Sequence, residues 1–168
     1  MRLIISESHV YFLICVEILS SVRGDSVKVS DIMTKNVVKI SPEESVDVAA
    51  RMLTHYNIGA LPVCSENGSL CGMVTDRDLV IRCMAANKPA EQTSVRQIMT
   101  NRVLSVQPDM EASAAAQLMG SQQVRRLPVV ENGKVCGMLS LGDLAASREE
   151  ARDAFGALTD ITANVRRG

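Results

Sequence analysis

Hydrophobic and polar positions follow the same order twice along the chain. Val37–Ile40 is a short β-branched run, which predicts a strand. Apolar residues then recur at helical spacing and predict one buried helix face, formed by Val46, Ala49, Ala50 and Leu53. The runs Ala60–Cys64 and Leu70–Thr75 flank Asn67-Gly68, a pattern that predicts a β-hairpin. A second helix is predicted over Asp76–Ala85.

A second copy of this order makes the chain an internal repeat. Shifting the chain by 66 residues places Leu61-Pro62-Val63 on Leu127-Pro128-Val129. After a one-residue deletion in the hairpin turn, Cys71-Gly72-Met73 falls on Cys136-Gly137-Met138. The second copy therefore predicts an apolar helix face (Ala112, Ala115, Ala116, Met119), strands Arg126–Val130 and Val135–Ser140, and a helix Leu141–Ser147.

The order of strand, helix, strand, strand and helix predicts an α+β (α/β) fold. Two β-α-β-β-α units are expected, related by pseudo-twofold symmetry. One unit of about 60 residues is marginal alone, so the two copies should bury their sheets against each other. Domains are predicted over 29–86 and 94–147, with a linker at 87–93. Residues 1–28 and 148–168 are predicted to be extensions, the second of them helical.

Composition excludes several classes of function. Lys and Arg number 18 against 19 Asp and Glu, for a net charge of −1, so no field concentrates the chain on nucleic acid or anionic lipid. Aromatic residues make up only 2%, which excludes stacking platforms for single strands. No apolar run reaches the length of a membrane span. Neither nucleic acid nor membrane is expected as a partner.

The cysteine content indicates the compartment. An odd number of cysteines without a disulfide-rich composition is typical of a reducing, cytoplasmic location; the residues are Cys15, Cys64, Cys71, Cys83 and Cys136. The apolar run Val10–Val16 resembles a signal peptide, but Glu7, His9 and Glu17 interrupt the segment. An added helix or a tail is the expected structure there.

Each predicted hairpin ends in a motif that could bind a ligand. The motif is Thr75-x-x-Asp78 in the first copy and Ser140-x-x-Asp143 in the second. A hydroxyl at a helix start can hold a phosphate or ribose oxygen, and a carboxylate three residues later can accept both hydroxyls of a ribose. The same spacing also forms a capping box, which would merely start the helix. Local spacing leaves both readings open.

The sequence resembles a known family at this point. Ile-Met-Thr, a Leu-Pro-Val strand, a turn and Gly-Met-Val-Thr-x-x-Asp together resemble a CBS domain. Over about residues 29–147 the two copies resemble a Bateman module of the stand-alone bacterial type. The resemblance implies two clefts that bind adenosine-containing ligands such as AMP, ADP, ATP, S-adenosylmethionine or NAD.

The resemblance also implies roles for individual residues. Asp78 and Asp143 would hold ribose hydroxyls, with Thr75 and Ser140 close to ribose and phosphate. The bases would be lined by Ile58, Gly59, Ala60 and Leu61 of the first copy, and by Val124, Arg125, Arg126 and Leu127 of the second.

Basic residues make the two clefts unequal. Arg77 lies inside the first motif, whereas its counterpart is Gly142. Arg125 and Arg126 have no basic counterparts in the first copy. These arginines could neutralise phosphates, or could be solvated or in ion pairs, and the sequence does not assign each to a cleft.

The sequence gives weaker evidence for other kinds of site. Cys64, Cys71 and Cys136 could bind zinc with a histidine, but strand cysteines are more often core residues. Asp76 with Asp78 could hold magnesium, although a bound nucleotide would bring its own. No triad signature of a hydrolase is present. We expect no catalytic residue, no resident cofactor and no protein-bound metal.

The leading interpretation is a non-catalytic, ligand-sensing regulatory module read by an unknown protein partner. A homodimer is expected; the helix faces Val46–Leu53 and Ala112–Met119 could form its interface, or the core could use them instead. The alternatives are a structural or dimerisation module with degenerate clefts, and a small metal-dependent nucleotide enzyme.

Overall fold

The computed structural model describes residues 26–147 and 150–163. The first half contains α1 (Val29–Ile32), α2 (Val46–His55), β1 (Ala60–Cys64), β2 (Leu70–Thr75) and α3 (Asp76–Asp78), which continues as a π-helix (Leu79–Met84). The second half contains a 3₁₀ turn (Val95–Gln97), α4 (Ala112–Gln122), β3 (Arg126–Glu131), β4 (Lys134–Ser140), α5 (Leu141–Ala146) and α6 (Ala151–Ala163). The predicted mixture of helix and strand, in two equivalent units, is confirmed.

The hairpins form where the sequence predicts them. β1 pairs with β2 in antiparallel register, Ala60 opposite Thr75. β3 pairs with β4 in the equivalent register, Arg126 opposite Ser140. In the second turn Asn132 and Gly133 both have positive φ, 50° and 77°. Such a pair matches the twist of the flanking strands, so the turn sets the register.

Each repeat is completed by a segment that precedes the other repeat. Thr34 and Met138 exchange backbone hydrogen bonds of 2.8 and 2.9 Å. Thr100 and Met73 do the same, at 2.8 and 3.0 Å. Accordingly, Val29 is buried in the second core, while Val95, Ile98 and Met99 are buried in the first. This exchange holds the two repeats together as one unit.

The prediction of a strand over Val37–Ile40 is wrong. Only Ile40 pairs, in a parallel bridge with Val63, where Ile40 N–H donates to Pro62 O (3.1 Å) and Cys64 N–H donates to Ile40 O (2.9 Å). The next rung of a parallel ladder would need an N–H from Pro62, which proline lacks. The second repeat has the same single bridge, between Val106 and Val129.

The helix after the first motif also differs from the prediction. Only Asp76–Asp78 is α-helical, and Leu79–Met84 is a π-helix, followed by Ala85 N–H donating to Val80 O at 2.8 Å. Leu79 and Cys83 are both buried. Their spacing of four residues suits either helix type, so periodicity could not distinguish them.

The apolar helix faces belong to the core. Within the described chain, Val46, Ala49 and Leu53 are buried in the first core. The predicted second face is buried as well, and consists of Ala112, Ala115, Ala116 and Met119. Of the two uses that the sequence left open for these faces, packing in the core is the one that the structure shows.

The C-terminal helix covers the second repeat. α6 packs on α4 and α5, with Ala154 and Ala157 buried. A Cβ on Gly120 would lie 3.2 Å from Ala157 Cα, so the small residue permits this close helix contact. In the described part of the chain, no helix combines the length and apolar character that crossing a bilayer requires.

Candidate functional site: two clefts between the repeats

Both hydroxyl–aspartate motifs form capping boxes. Thr75 Oγ1 accepts from Asp78 N–H at 3.2 Å, and Asp78 Oδ2 accepts from Thr75 N–H at 2.9 Å and from the Thr75 hydroxyl at 2.7 Å. Ser140 and Asp143 repeat the arrangement, with distances of 3.2, 2.8 and 2.7 Å. The capping interpretation is therefore confirmed, and one oxygen of each carboxylate is committed to it.

The second carboxylate oxygen differs between the repeats. Asp78 Oδ1 lies 3.3 Å from Arg82 Nε. Within the described ranges, Asp143 Oδ1 has no hydrogen-bond partner and no partner in an ion pair. Asp143 thus keeps more capacity to accept hydrogen bonds from a ligand than Asp78 does.

The first cleft, here called the Asp143 cleft, has a volume of about 280 Å³. It combines the motif of the second repeat with the base-lining segment predicted in the first. Its lining includes Ser140, Asp143, Ile58, Gly59, Ala60 and Arg126. Asn36, Val37 and Val38, which follow Thr34 along the chain, also line it.

The second cleft, here called the Asp78 cleft, has a volume of about 300 Å³. It combines the motif of the first repeat with the segment Val124–Leu127 of the second. Each cleft therefore combines the hydroxyl–aspartate pair of one repeat with the segment that leads into the first hairpin strand of the other. Leu61 departs from the prediction, because it is fully buried in the first core and lines neither cleft.

Arginines are concentrated in the Asp78 cleft. Arg77, Arg125 and Arg126 all line it, and Arg126 lines the Asp143 cleft as well. Arg102 is a fourth lining cation that the sequence analysis missed. Aligning the repeats could have found it, because Arg102 follows Ile-Met-Thr and aligns with Asn36, which lines the other cleft.

The metal alternatives need side chains of His, Cys, Asp or Glu that lie close together. No three side chains of these types converge among the described residues. Burial raises the pKa of the Cys64 thiol, with Lys39 opposing and Cys71 adding to the shift. A neutral, buried thiol behaves as a small apolar residue. His9 and Cys15 lie outside the described residues.

Sequence comparison identifies the repeats. The CBS domain family matches residues 29–84 and 95–150. The CBS domain-containing protein YhcV of Bacillus subtilis is 40% identical over 134 residues, which cover 80% of this chain and 94% of YhcV.

Structural comparison agrees. Hypoxic Response Protein I, solved with two coordinated zinc ions, matches 71% of this chain and 98% of its own, with a TM-score of 0.67 and 29% identity. The CBS domain pair of protein MJ0100, solved in complex with 5′-methylthioadenosine and S-adenosyl-L-methionine, matches 72% of this chain and 94% of its own, with a TM-score of 0.66 and 28% identity. The chain therefore belongs to the CBS domain family and carries two such domains in tandem.

Proposed function

We propose that this chain is a regulatory module that binds adenosine-containing ligands in its two clefts. The observation that carries the proposal is the composition of each cleft. Each cleft is lined by a hydroxyl–aspartate pair from one repeat and by the segment that leads into the first hairpin strand of the other, together with apolar side chains and at least one arginine. A ligand that contacts both repeats can change their relative position, which a partner protein can detect.

The chemistry of the clefts fits a nucleoside. Carboxylate oxygens accept hydrogen bonds from a diol, an apolar wall suits a purine face, and arginines suit a phosphate. The complex of the MJ0100 CBS pair with two adenosyl compounds supports this class of ligand. The proposal includes no catalytic step and no resident cofactor, and magnesium would arrive only with a nucleotide. The proposed location is the cytoplasm.

Dimerisation is the second candidate function, as a structural role with unused clefts. The completed capping boxes favour it, because capping alone accounts for the motif residues. Four exposed apolar side chains of the first repeat, here called its exposed surface, also favour it. They are Tyr56 (50% exposed), Val80 (54%), Ile81 (49%) and Met84 (69%). We propose that a homodimer forms through this surface, since α6 covers the corresponding helices of the second repeat.

A thermal-shift screen tests the proposed function. Adenosine, AMP, ADP, ATP, S-adenosylmethionine and NADH are compared with guanosine and GMP as controls. A ligand at 100 times its Kd stabilises the native state by about 2.7 kcal/mol, which raises Tm by several degrees. Stabilisation by adenosyl compounds alone supports the proposal. No shift with any of them, together with a dimer in sedimentation, would leave the structural role.

A further inference from the structure

We propose that Arg126 serves both clefts, so that phosphorylated ligands in the two clefts compete for its single guanidinium. The inference rests on the proposed function and adds a rule of regulation to it. A phosphate bound in the Asp78 cleft lowers the affinity of the Asp143 cleft for a second phosphate. It leaves the affinity of that cleft for an uncharged adenosyl ligand almost unchanged.

The position of Arg126 places it between the clefts. Arg126 is the first residue of β3 and lies opposite Ser140 in the strand register, so its backbone adjoins the motif of the Asp143 cleft. Its side chain reaches the first repeat, because a Cβ built on Gly59 would lie 3.2 Å from Arg126 Nη2. The same residue lines the Asp78 cleft beside Arg125.

The repeat explains why one cation is shared. Ala60 and Arg126 are equivalent positions, each the first residue of its hairpin, and both line both clefts. This pair of positions therefore lies where the two clefts adjoin. Two arginines there would provide one cation for each cleft. The chain has a buried alanine at one position and arginine at the other. At the junction of the clefts, a single cation therefore has to serve both of them.

The other charges make the sharing unequal. The Asp78 cleft has Arg77, Arg102 and Arg125 in addition to Arg126. In the lining of the Asp143 cleft, as far as the structure describes it, Arg126 is the one Lys or Arg. Without that guanidinium, a phosphate in the Asp143 cleft would face Asp143 with no compensating charge.

The guanidinium of Arg126 is available to move. Among the described residues it forms no ion pair, and its acidic neighbour is Asp76, whose Oδ2 would lie 3.4 Å from the same Cβ position on Gly59. Asp76 lines the Asp78 cleft. A phosphate can therefore attract Arg126 without first breaking a close ion pair. Two phosphates near one guanidinium also repel each other, and both effects weaken binding of the second.

A blocking variant measures the coupling. Leu104→Trp fills the Asp78 cleft, which Leu104 lines and where it is 41% exposed. Binding is followed by amide NMR signals, Arg77 for the Asp78 cleft and Gly142 for the Asp143 cleft. The Arg77 signal first shows that AMP no longer enters the blocked cleft. The affinity of the Asp143 cleft for AMP is then compared between the unsubstituted chain, with its Asp78 cleft saturated, and Leu104→Trp.

We expect AMP to bind the Asp143 cleft about 10-fold more tightly when the Asp78 cleft is blocked, the size of one charge-assisted hydrogen bond. The affinity of the Asp143 cleft for adenosine should be the same with and without the block. In Arg126→Ala the block should change the affinity for AMP much less, because only the repulsion between the two phosphates remains. Arg125→Ala, which alters a cation of one cleft only, should keep the full difference. Arg126→Lys should keep part of it, because the charge remains.

Three results would overturn the inference. One is an equal affinity for AMP with and without the block. Another is a difference of the same size in Arg126→Ala, since coupling would then run through other groups. Each of these leaves the proposed function intact because adenosyl ligands still bind. The third is that neither adenosine nor AMP binds to either cleft, which overturns the proposed function together with the inference.

Discussion

Asp78 Oδ1 lies 3.3 Å from Arg82 Nε, one helical turn further along the chain, whereas none of the residues that the structure describes places such a cation beside Asp143. Arg82 also donates to Ile98 O at 2.8 Å, so its position is held from two sides. Before any ligand binds, the Asp78 carboxylate is therefore paired with a cation, whereas the Asp143 carboxylate has no such partner among the described residues.

This difference predicts unequal effects of the two aspartates on binding. Asp143→Asn should weaken an adenosyl ligand in its cleft by about 30- to 150-fold, from the loss of charge-assisted hydrogen bonds to a ribose diol. Asp78→Asn should cost less, because the ligand must share that carboxylate with Arg82. Calorimetry on both variants measures this. Unchanged binding in both, with the fold intact, would show that these residues serve only as caps.

The capping boxes predict a matched pair of stability losses. Thr75→Ala and Ser140→Ala each remove the same acceptor from the first turn of a helix, and each should lower the free energy of unfolding by about 1 kcal/mol. Urea denaturation provides the comparison. Thr75→Ser retains the hydroxyl and is the control. A loss confined to one repeat would contradict the equivalence of the two motifs.

The exchanged segments predict a contrast between two equivalent glycines. A Cβ on Gly72 would lie 2.8 Å from the backbone oxygen of Thr100, whereas the three atoms nearest to a Cβ on Gly137 all belong to the flexible side chain of Met33. Gly72→Ala should therefore cost roughly 1–3 kcal/mol and Gly137→Ala less, because a methionine can change rotamer. Thermal unfolding checks the order. Equal losses would mean that the Thr100 backbone moves as easily as a side chain.

The exposed surface of the first repeat predicts the dimer contact. Ile81→Lys combined with Met84→Lys should convert a dimer to a monomer, since two buried apolar side chains would become charged. Phe155→Lys, on α6 and 72% exposed, should leave the dimer intact. Sedimentation at tens of micromolar distinguishes these outcomes. A monomer of the unsubstituted chain would contradict the proposed dimer.

The buried thiol of Cys64 predicts a loss of stability at alkaline pH. Burial raises its pKa in the folded protein, so above about pH 9 the unfolded chain ionises while the native thiol stays protonated. The unfolded state then binds fewer protons, and the free energy of unfolding falls as the pH rises. Denaturation between pH 7 and pH 10 should show a smaller decline in Cys64→Ala. Identical slopes in the two proteins would refute this role of Cys64.

Local patterns determined much of the fold. The Asn-Gly turns and the flanking β-branched residues set both hairpins, and the apolar spacing from Val46 to Leu53 set a helix face. The two hydroxyl–aspartate motifs could be read directly from the repeat. These features depend on neighbours in the chain, so periodicity and turn chemistry suffice to predict them.

Contacts between distant segments were decided only in three dimensions. The sequence could not show that Thr75 and Asp78 face Val124–Leu127, or that Arg126 reaches both clefts, because neither relationship follows from spacing along the chain. The absence of the predicted strand over Val37–Ile40 also depends on tertiary position. Pro62 lacks an N–H, and this matters only once Val37–Ile40 lies beside β1. The burial of the Ala-rich face of α4 also depends on a distant segment. α6 folds back on that helix and buries Ala154 and Ala157 against it.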